Sequence, residues 1–506
     1  MNAPFRASSH EDGILDVVII GAGFSGLSMA IALKKAGRNS FRVFEKASDL
    51  GGTWLFNTYP GCACDVPSFL YSFSFAQNPG WSRSFSPSNE IWRYMKGVSD
   101  RFGLAPHLRF NAPVARAQYD EAAQIWRLTL GSGETVQTRT LVTGTGALHV
   151  PQYPTIKGLE NFAGPKFHSA EWDKKFDYAG NTVAVIGTGA SAIQIVPAIA
   201  GSAKQVELFQ RTPAWVLPRL DKSTSAQMAT IFRRLPLLQW LYRALIYARM
   251  ESRAIAFTVN PKLMKRLEKM AHAYLETTVP DAELRAALTP DYTIGCKRVL
   301  ISDDFYPAMN RQNVELVTSG ISHVEADAIV TADGKRRPVD AIVYATGFRP
   351  TDWVPGMQIL GRGGRDLTKE WRDAGAARAY YGITAEGFPN LFMLLGPNTG
   401  LGHNSIIFMI EAQTRYTMDC LNWLWSGQAQ SVEVRKDVQC AFNDKLDDAM
   451  KRTVWMSGCK SWYLNADGTN STIWPSFTLS YWWRTHSARK RDFLLEPAKT
   501  PEKIAA

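Results

Sequence analysis

The sequence predicts an α/β fold made of two Rossmann-like dinucleotide-binding domains with a helical insertion. Three observations predict it. Near the N-terminus, "LDVVIIGAGFSGLSMAIALKKAG" runs from an apolar strand through a glycine turn into a helical pattern. In mid-chain, "NTVAVIGTGASAIQIVPAIA" repeats that plan. From about Ser223 to Pro290 the apolar residues fall at helical spacing. The 506 residues suffice for two or three domains with cores of their own.

The first unit begins with the strand Val17 to Ile20, and Gly21, Gly23 and Gly26 follow in G-x-G-x-x-G spacing. Gly21 allows the tight turn, Gly23 lets the backbone approach a pyrophosphate, and Gly26 lets helix and strand pack closely. Phe24 and Ser25 open the helix, whose N-terminus offers free N–H groups and a positive dipole end to phosphate. Glu45 lies nineteen residues beyond Gly26, at the end of the strand "FRVFE", where it can accept hydrogen bonds from ribose hydroxyls. A lone glycine motif is weak evidence, but strand, helix and acid at these distances make it strong. The following "GGTW" adds Thr53 and Trp54 and suits FAD.

The second unit has its strand at Val183 to Ile186, with Gly187, Gly189 and Ala192 in G-x-G-x-x-A spacing around Thr188, Ala190 and Ser191. Its next strand, "QVELFQRT", ends on Gln210 and Arg211 instead of an acid. A carboxylate at that position favours NAD, whereas an arginine accommodates the 2′-phosphate of NADP. Read as a ligand and not as a solvated surface residue, Arg211 points to NADPH. A chain with two such units holds one cofactor as a reservoir and receives hydride from the other.

"TLVTGTGAL" (140–148) and "AIVYATGFRP" (341–350) read as return strands, each ending in a glycine turn. Each domain is then interrupted. The expected order is FAD domain 1–148, NADPH domain 149–220, helical insertion 221–293, NADPH domain 294–380 and FAD domain 381–506. The insertion reads as amphipathic helices packed on the NADPH domain. Its interleaved Arg, Lys, Leu, Ile, Trp and Tyr leave open a surface that meets a membrane or an oily substrate.

Composition narrows the function classes. A 45% hydrophobic and 20% charged chain is ordinary for a soluble globular protein. The net charge of +11 suits anionic ligands such as nucleotides, while no basic run or DNA-binding pattern supports nucleic acid. The polar N-terminus "MNAPFRASSHEDG" lacks a signal-peptide core, and no run approaches the ~18 apolar residues of a membrane span. A cytoplasmic protein is expected. The six cysteines show no disulfide framework and no zinc spacing, so no metal site is expected. Cys62 and Cys64 stand as C-x-C, whereas the redox pair of a two-nucleotide disulfide reductase is usually separated by two or four residues.

"FAGPKFHSAEWD" (162–173), just before the second Rossmann strand, resembles the F-x-G-x-x-x-H-x-x-x-W-[PD] signature of type I Baeyer–Villiger monooxygenases. Phe162, Gly164, His168, Trp172 and Asp173 occupy its fixed positions. Related N- and S-oxidising flavin monooxygenases carry Tyr or Phe where Trp172 stands. The resemblance extends to "YPGCACDVPSFLYSFSF" (59–75), "IGCKRVLISDDFYPAMNRQNVELV" (294–317), "LLGPNTGLGHNSIIFMIEAQ" (394–413) and "CKSWYLNADGTNSTIWP" (459–475). "GPNTGLGHN" and the "NADGTNSTIWP" tail look closer to a subgroup that includes long-chain alkane-degrading monooxygenases, which leaves the substrate open.

The resemblance implies a mechanism. NADPH reduces FAD, reduced flavin and O2 form a C4a-peroxyflavin, and its anion attacks a ketone, whose adduct rearranges to an ester or lactone. A peroxide anion and a developing oxyanion call for a fixed cation in a dry site. By resemblance that cation is Arg298, a guanidinium that does not titrate away, oriented by Asp65. Lys297, Arg211 and Thr212 would hold the 2′-phosphate, and Trp462 would cover the nicotinamide side. Trp54, Tyr71, the backbone near Val114 and the helix start at Ile406 would contact FAD. His168 would act as a latch between the two domains and not as a base, and Asp173 would cap the turn after it. The rival activities are heteroatom oxidation, alkane hydroxylation and, from another class, disulfide reduction.

Overall fold

The computed structural model describes residues 13–497 except 352, 353, 355, 460 and 466. The polar stretch 1–12 that was read for a leader lies outside the described residues. In chain order the elements that matter most are β1 (Ile14–Ile20), α1 (Phe24–Lys35), β2 (Phe41–Phe44), β3 (Thr135–Thr143), β4 (Lys166–His168), β5 (Thr182–Ile186), α2 (Ala192–Ile199), β6 (Gln205–Phe209), α3 (Pro236–Ser252), β7 (Ala341–Tyr344), α4 (Ile406–Trp425) and α5 (Thr478–Arg484).

The first sheet has eight strands. β1 lies between β2 and β3, parallel to both, and Leu391–Met393 pairs with the far end of β3. Val114–Asp120 and Ile125–Leu130 extend it as an antiparallel meander from β3. Strands covered on both faces read as unbroken apolar runs, and β1 is buried from Asp16 to Ile20. The second sheet has five strands, in the order Val314–Val317, β6, β5, β7, β4, all parallel. Each sheet has its own apolar core, one around Leu27, Ile31 and Val43, the other around Val183, Ile195 and Leu208.

Three expectations are corrected and one is sharpened. The chain re-enters the first sheet at Gln358–Leu360, which pairs with Val114–Asp120, and so returns before residue 381. Three residues of strand carry too short a pattern to be read from sequence. The signature stretch, expected as a latch between the domains, carries in Lys166–His168 the edge strand of the second sheet, paired to β7. The inserted helices do not pack only on the second domain. Phe232 and Met250 join the first core, and Phe232 meets Phe69 edge-on with ring centroids 5.4 Å apart. Lastly, Cys296 and Cys459, 163 residues apart, are joined by a disulfide. Only the fold brings them together, so no spacing signals the pair.

Two connections cross between the sheets side by side. The Gln152 amide donates to the carbonyl of Gly347 (2.9 Å) and the Arg349 amide to that of Val150 (3.0 Å). His168, fully buried, stands against this crossing. Its Nδ1 accepts from the Ala170 amide at 3.1 Å, so Nε2 carries the proton and donates to the Gly347 carbonyl at 2.9 Å. Burial lowers its pKa, which keeps the ring neutral. Nε2 holds the crossing and Nδ1 holds the turn that follows, which suits a latch and leaves neither nitrogen for proton transfer. Asp173 Oδ1 accepts from the Lys175 amide at 2.9 Å, closing the turn after the signature.

Candidate active site

A cavity of about 1620 Å³ runs along the seam between the two sheets. It exceeds the ~300–1,000 Å³ of common small-ligand pockets and has room for more than one dinucleotide. In its first half the walls carry Gly21, Gly23, Phe24 and Ser25 from the β1–α1 turn, Glu45 from the end of β2, and Thr53 and Trp54 from a short helical turn. Tyr71, Val114 and Ile406 join them from three further elements. In the second half lie Gly187, Thr188, Gly189, Ala190 and Ser191 from the β5–α2 turn, with Arg211 and Thr212 after β6. Asp65, Lys297, Arg298 and Trp462 line the space between. Of the residues expected at the site, Gly26 and Ala192, the third positions of the two motifs, do not line the cavity.

Those two positions pack. A Cβ on Gly26 would stand 1.8 Å from the carbonyl oxygen of Gly21, so no side chain fits there. Gly21 itself has φ +100°, and a Cβ there would stand 2.6 Å from the carbonyl oxygen of Gly144, at the end of β3. Glu45 is buried. Its Oε2 accepts from the Ala22 amide (2.7 Å) and its Oε1 from the Ala47 amide (2.9 Å), which fixes the carboxylate at the cavity wall. Trp54 donates from Nε1 to the Tyr71 hydroxyl at 3.2 Å, and the two rings meet edge-on.

In the second half the charges have the opposite sign. Thr188 Oγ1 donates to the carbonyl of Thr212 at 2.7 Å, tying the glycine turn to the end of β6. Gln210 donates to the carbonyl of Ala287, which occupies its side-chain amide and leaves Arg211 as the cation at the strand end. Lys297 Nζ sits 4.3 Å above the Tyr292 ring centroid. Burial, and then the positive charge of Arg211, hold its pKa below the ordinary 10.5. Two cations that disfavour one another across a cavity wall describe a place for an anion.

At the seam, Arg298 donates from Nε (2.8 Å) and Nη2 (2.5 Å) to one oxygen, Oδ2, of Asp65. A third of its side chain faces the cavity (33% exposed). The Asp65 charge raises its pKa, against the penalty of burial. Tyr463 is buried beside it, and the Arg298 charge opposes the burial that raises the phenol's pKa. Trp462 lies at the cavity wall, 41% exposed, with its ring centroid 4.2 Å from that of Tyr463.

Sequence reasoning missed Tyr463, although it follows Trp462 directly, because a buried tyrosine has no spacing signature. It also missed Gln194, on α2, whose Nε2 donates to the Ala63 carbonyl at 3.0 Å and whose Oε1 accepts from the Ala63 amide at 3.3 Å and the Tyr59 hydroxyl at 3.0 Å. This side chain from the second unit therefore holds the segment that carries Asp65. Cys62 and Cys64 are buried free thiols, and burial pushes Cys62 up to about 11 and raises Cys64 as well. Such thiols are poor thiolates, which argues against disulfide reduction. Among the described residues no His, Cys, Asp and Glu group could hold a metal ion.

The residues present fit the two expected cofactors on an observation of the wall itself. Thr472 Oγ1, buried in it, has no hydrogen-bond partner among the described residues, and buried polar atoms ordinarily have one. Together the fold and the cavity define a two-nucleotide enzyme of the flavoprotein kind. Residues 15–352 match the family model "Flavin-binding monooxygenase-like", and the chain belongs to that family.

Within it the relatives are specific. A Baeyer–Villiger monooxygenase of Pseudomonas aeruginosa is 45% identical over 92% of this chain and 88% of its own length. One of Streptomyces coelicolor is 44% identical over 97% of this chain and 94% of its own. Among solved structures, an oxidised steroid monooxygenase bound to NADP superposes with a TM-score of 0.86 at 28% identity, over 95% of this chain and 99% of the other. A cyclohexanone monooxygenase from Rhodococcus sp. Phi1 bound to NADP+ does so with 0.86 at 26%, over 96% and 99%.

Proposed function

We propose that the chain is an NADPH-dependent Baeyer–Villiger monooxygenase that converts ketones to esters or lactones. The balance is ketone, O2, NADPH and a proton to ester, NADP+ and water. The observation that carries this reading is the cation at the seam: Arg298, oriented by Asp65, between a wall suited to a flavin and one suited to a phosphorylated nicotinamide nucleotide. Gly21, Gly23, Ser25 and Glu45 would hold FAD by pyrophosphate and ribose, with Trp54, Tyr71, Val114 and Ile406 around its ring end. Arg211, Thr212 and Lys297 would hold the 2′-phosphate of NADPH.

FAD, when bound and reduced, supplies the activated oxygen. The chain's own contribution is electrostatic. Arg298 stands where negative charge develops on the ketone oxygen, and a preorganised donor there acts without reorganising water. Asp65 accepts from two of its nitrogens, Nε and Nη2, and so fixes the plane of the guanidinium. Trp462 and Tyr463 cover the cation and limit the entry of water. His168 holds the crossing between the sheets and touches no reacting group.

The test is product analysis under 18O2 with a panel of linear and cyclic ketones. Esters or lactones carrying one labelled oxygen per NADPH consumed are expected. Oxidation of amines or sulfides with no ester from any ketone would overturn the reading in favour of heteroatom oxidation.

A further inference from the structure

Helix α3 is built inside out. The side chains it buries are mostly polar: Gln239, Arg243 and Glu251, with Met250. Gln239 donates to the carbonyl of Asn78, and Arg243 donates to the carbonyls of Phe69 and Ser72. Glu251 accepts from Asn404, Thr478 and the Leu479 amide. The side chains it exposes are apolar, including Leu237 (67% exposed), Leu238, Trp240, Leu241 and Leu245 (68%). A surface helix ordinarily does the reverse, and a contiguous exposed apolar face marks a site of interaction. The face continues onto α5, whose first turn receives Glu251 and whose Leu479 and Trp483, one turn apart, are also exposed.

Charge identifies the occupant. Leu238, Leu241 and Leu245 form one stripe at helical spacing, and Arg249 follows in register. Arg233 and Arg234 precede the helix, and Lys262, Lys265 and Arg266 come after it, all exposed. From residue 226 to 267 there is one acid, Glu251, and it is buried. A second copy of this chain, docked by a two-fold axis, would set each cationic stripe against another of the same sign. Trp240 and Tyr242 are of the kind favoured where apolar and aqueous phases meet. Among the described residues no helix is long and apolar enough to cross a membrane.

We propose that α3, with the exposed turn of α5, lies flat on an anionic lipid surface, its leucines in the acyl boundary and its flanking cations at the headgroups. This inference does not depend on which substrate the cavity takes.

Flotation of the FAD-loaded full chain with vesicles tests it. Vesicles of phosphatidylcholine mixed with phosphatidylglycerol should carry the protein, and high salt should release it. Phosphatidylcholine alone should bind far less. Leu241→Ser with Leu245→Ser should abolish binding, and Arg233→Ala with Arg234→Ala should weaken it about 25-fold, at roughly fivefold per cation. All these positions lie outside the cavity, so NADPH oxidation should be unchanged, which also shows that each variant is folded. Absence of flotation at low salt, or equal binding to both vesicles, would overturn the proposal. So would a wild-type dimer that the leucine variant dissociates, because a second copy would then cover the face.

Discussion

In the first unit, Gly21 turns at φ +100° and a Cβ would meet the Gly144 carbonyl oxygen at 2.6 Å; in the second, Gly187 turns at +114° and would meet that of Ala345 at 2.5 Å. The turns are interchangeable, but their surroundings are not. The first closes on Gly26, which tolerates no side chain, and ends on a buried acid, Glu45, fixed by two backbone amides. The second has Ala192 at the third position, open space around Gly189, and ends on an exposed Arg211 facing Lys297. One plan thus yields a tight, acidic cradle and a looser, cationic one. That is the division expected between a cofactor that stays through many turnovers and one that comes and goes with each.

The largest expected effect comes from the cation that stands between the two cradles. Arg298→Ala should lower ester formation by ~10²–10³ while the flavin stays bound, since neither cradle depends on it. NADPH consumption should continue with hydrogen peroxide as the product, and Asp65→Ala should show the same split more weakly. Yields of ester and peroxide per NADPH check both. Wild-type ester yields from Arg298→Ala would remove the seam from the mechanism.

Next comes the glycine contrast. Gly26→Ala should cost at least ~3 kcal/mol of stability, the upper end for overpacking, because the carbonyl it strikes is backbone. Gly23→Ala should leave the fold intact, since its Cβ would meet only the Gly52 Cα, at 3.7 Å. It should instead lower flavin retention. Gly189→Ala should keep full flavin content and raise only the KM for NADPH. Thermal melts and the flavin-to-protein absorbance ratio separate the three, and flavin loss from Gly189→Ala would break the assignment of the two cradles.

Arg211→Ala should raise the KM for NADPH about 10- to 100-fold, the worth of ~1.5–3 kcal/mol for a hydrogen bond to a charged group, and leave that for NADH nearly unchanged. Equal damage to both would show that Arg211 does not read the phosphate.

The smallest effect is one of pH. Lys297 has a lowered pKa, so it loses its charge below the ordinary 10.5. Above that lowered pKa the KM for NADPH should rise, by less than about tenfold if the contact is worth up to ~1.4 kcal/mol, because a phosphate binds the protonated form. Lys297→Arg should flatten the rise, as a guanidinium stays charged. A profile unchanged by that substitution would place the titration elsewhere.

The local half of this comparison was legible in the sequence. Glycine spacing, the apolar strands and the acid or cation at each strand end are features of short segments, and their physics is local. What was not legible is long-range. Asp65 and Arg298 lie 233 residues apart and met only through resemblance to known relatives. Gln194, Tyr463 and the Cys296–Cys459 bond had no such aid. The return to the first sheet at Gln358–Leu360 was too brief to show a period. In α3 the period was visible but its sign was not, since helical spacing says that two faces differ and not which one looks inward.

The bond between Cys296 and Cys459 has a mechanical meaning. Cys296 immediately precedes Lys297, and Trp462 comes three residues after Cys459. A leash of three residues reaches at most about 10 Å. Trp462 therefore cannot wander with the C-terminal segment, because the bond that tethers it stands one residue from Lys297 at the cavity wall.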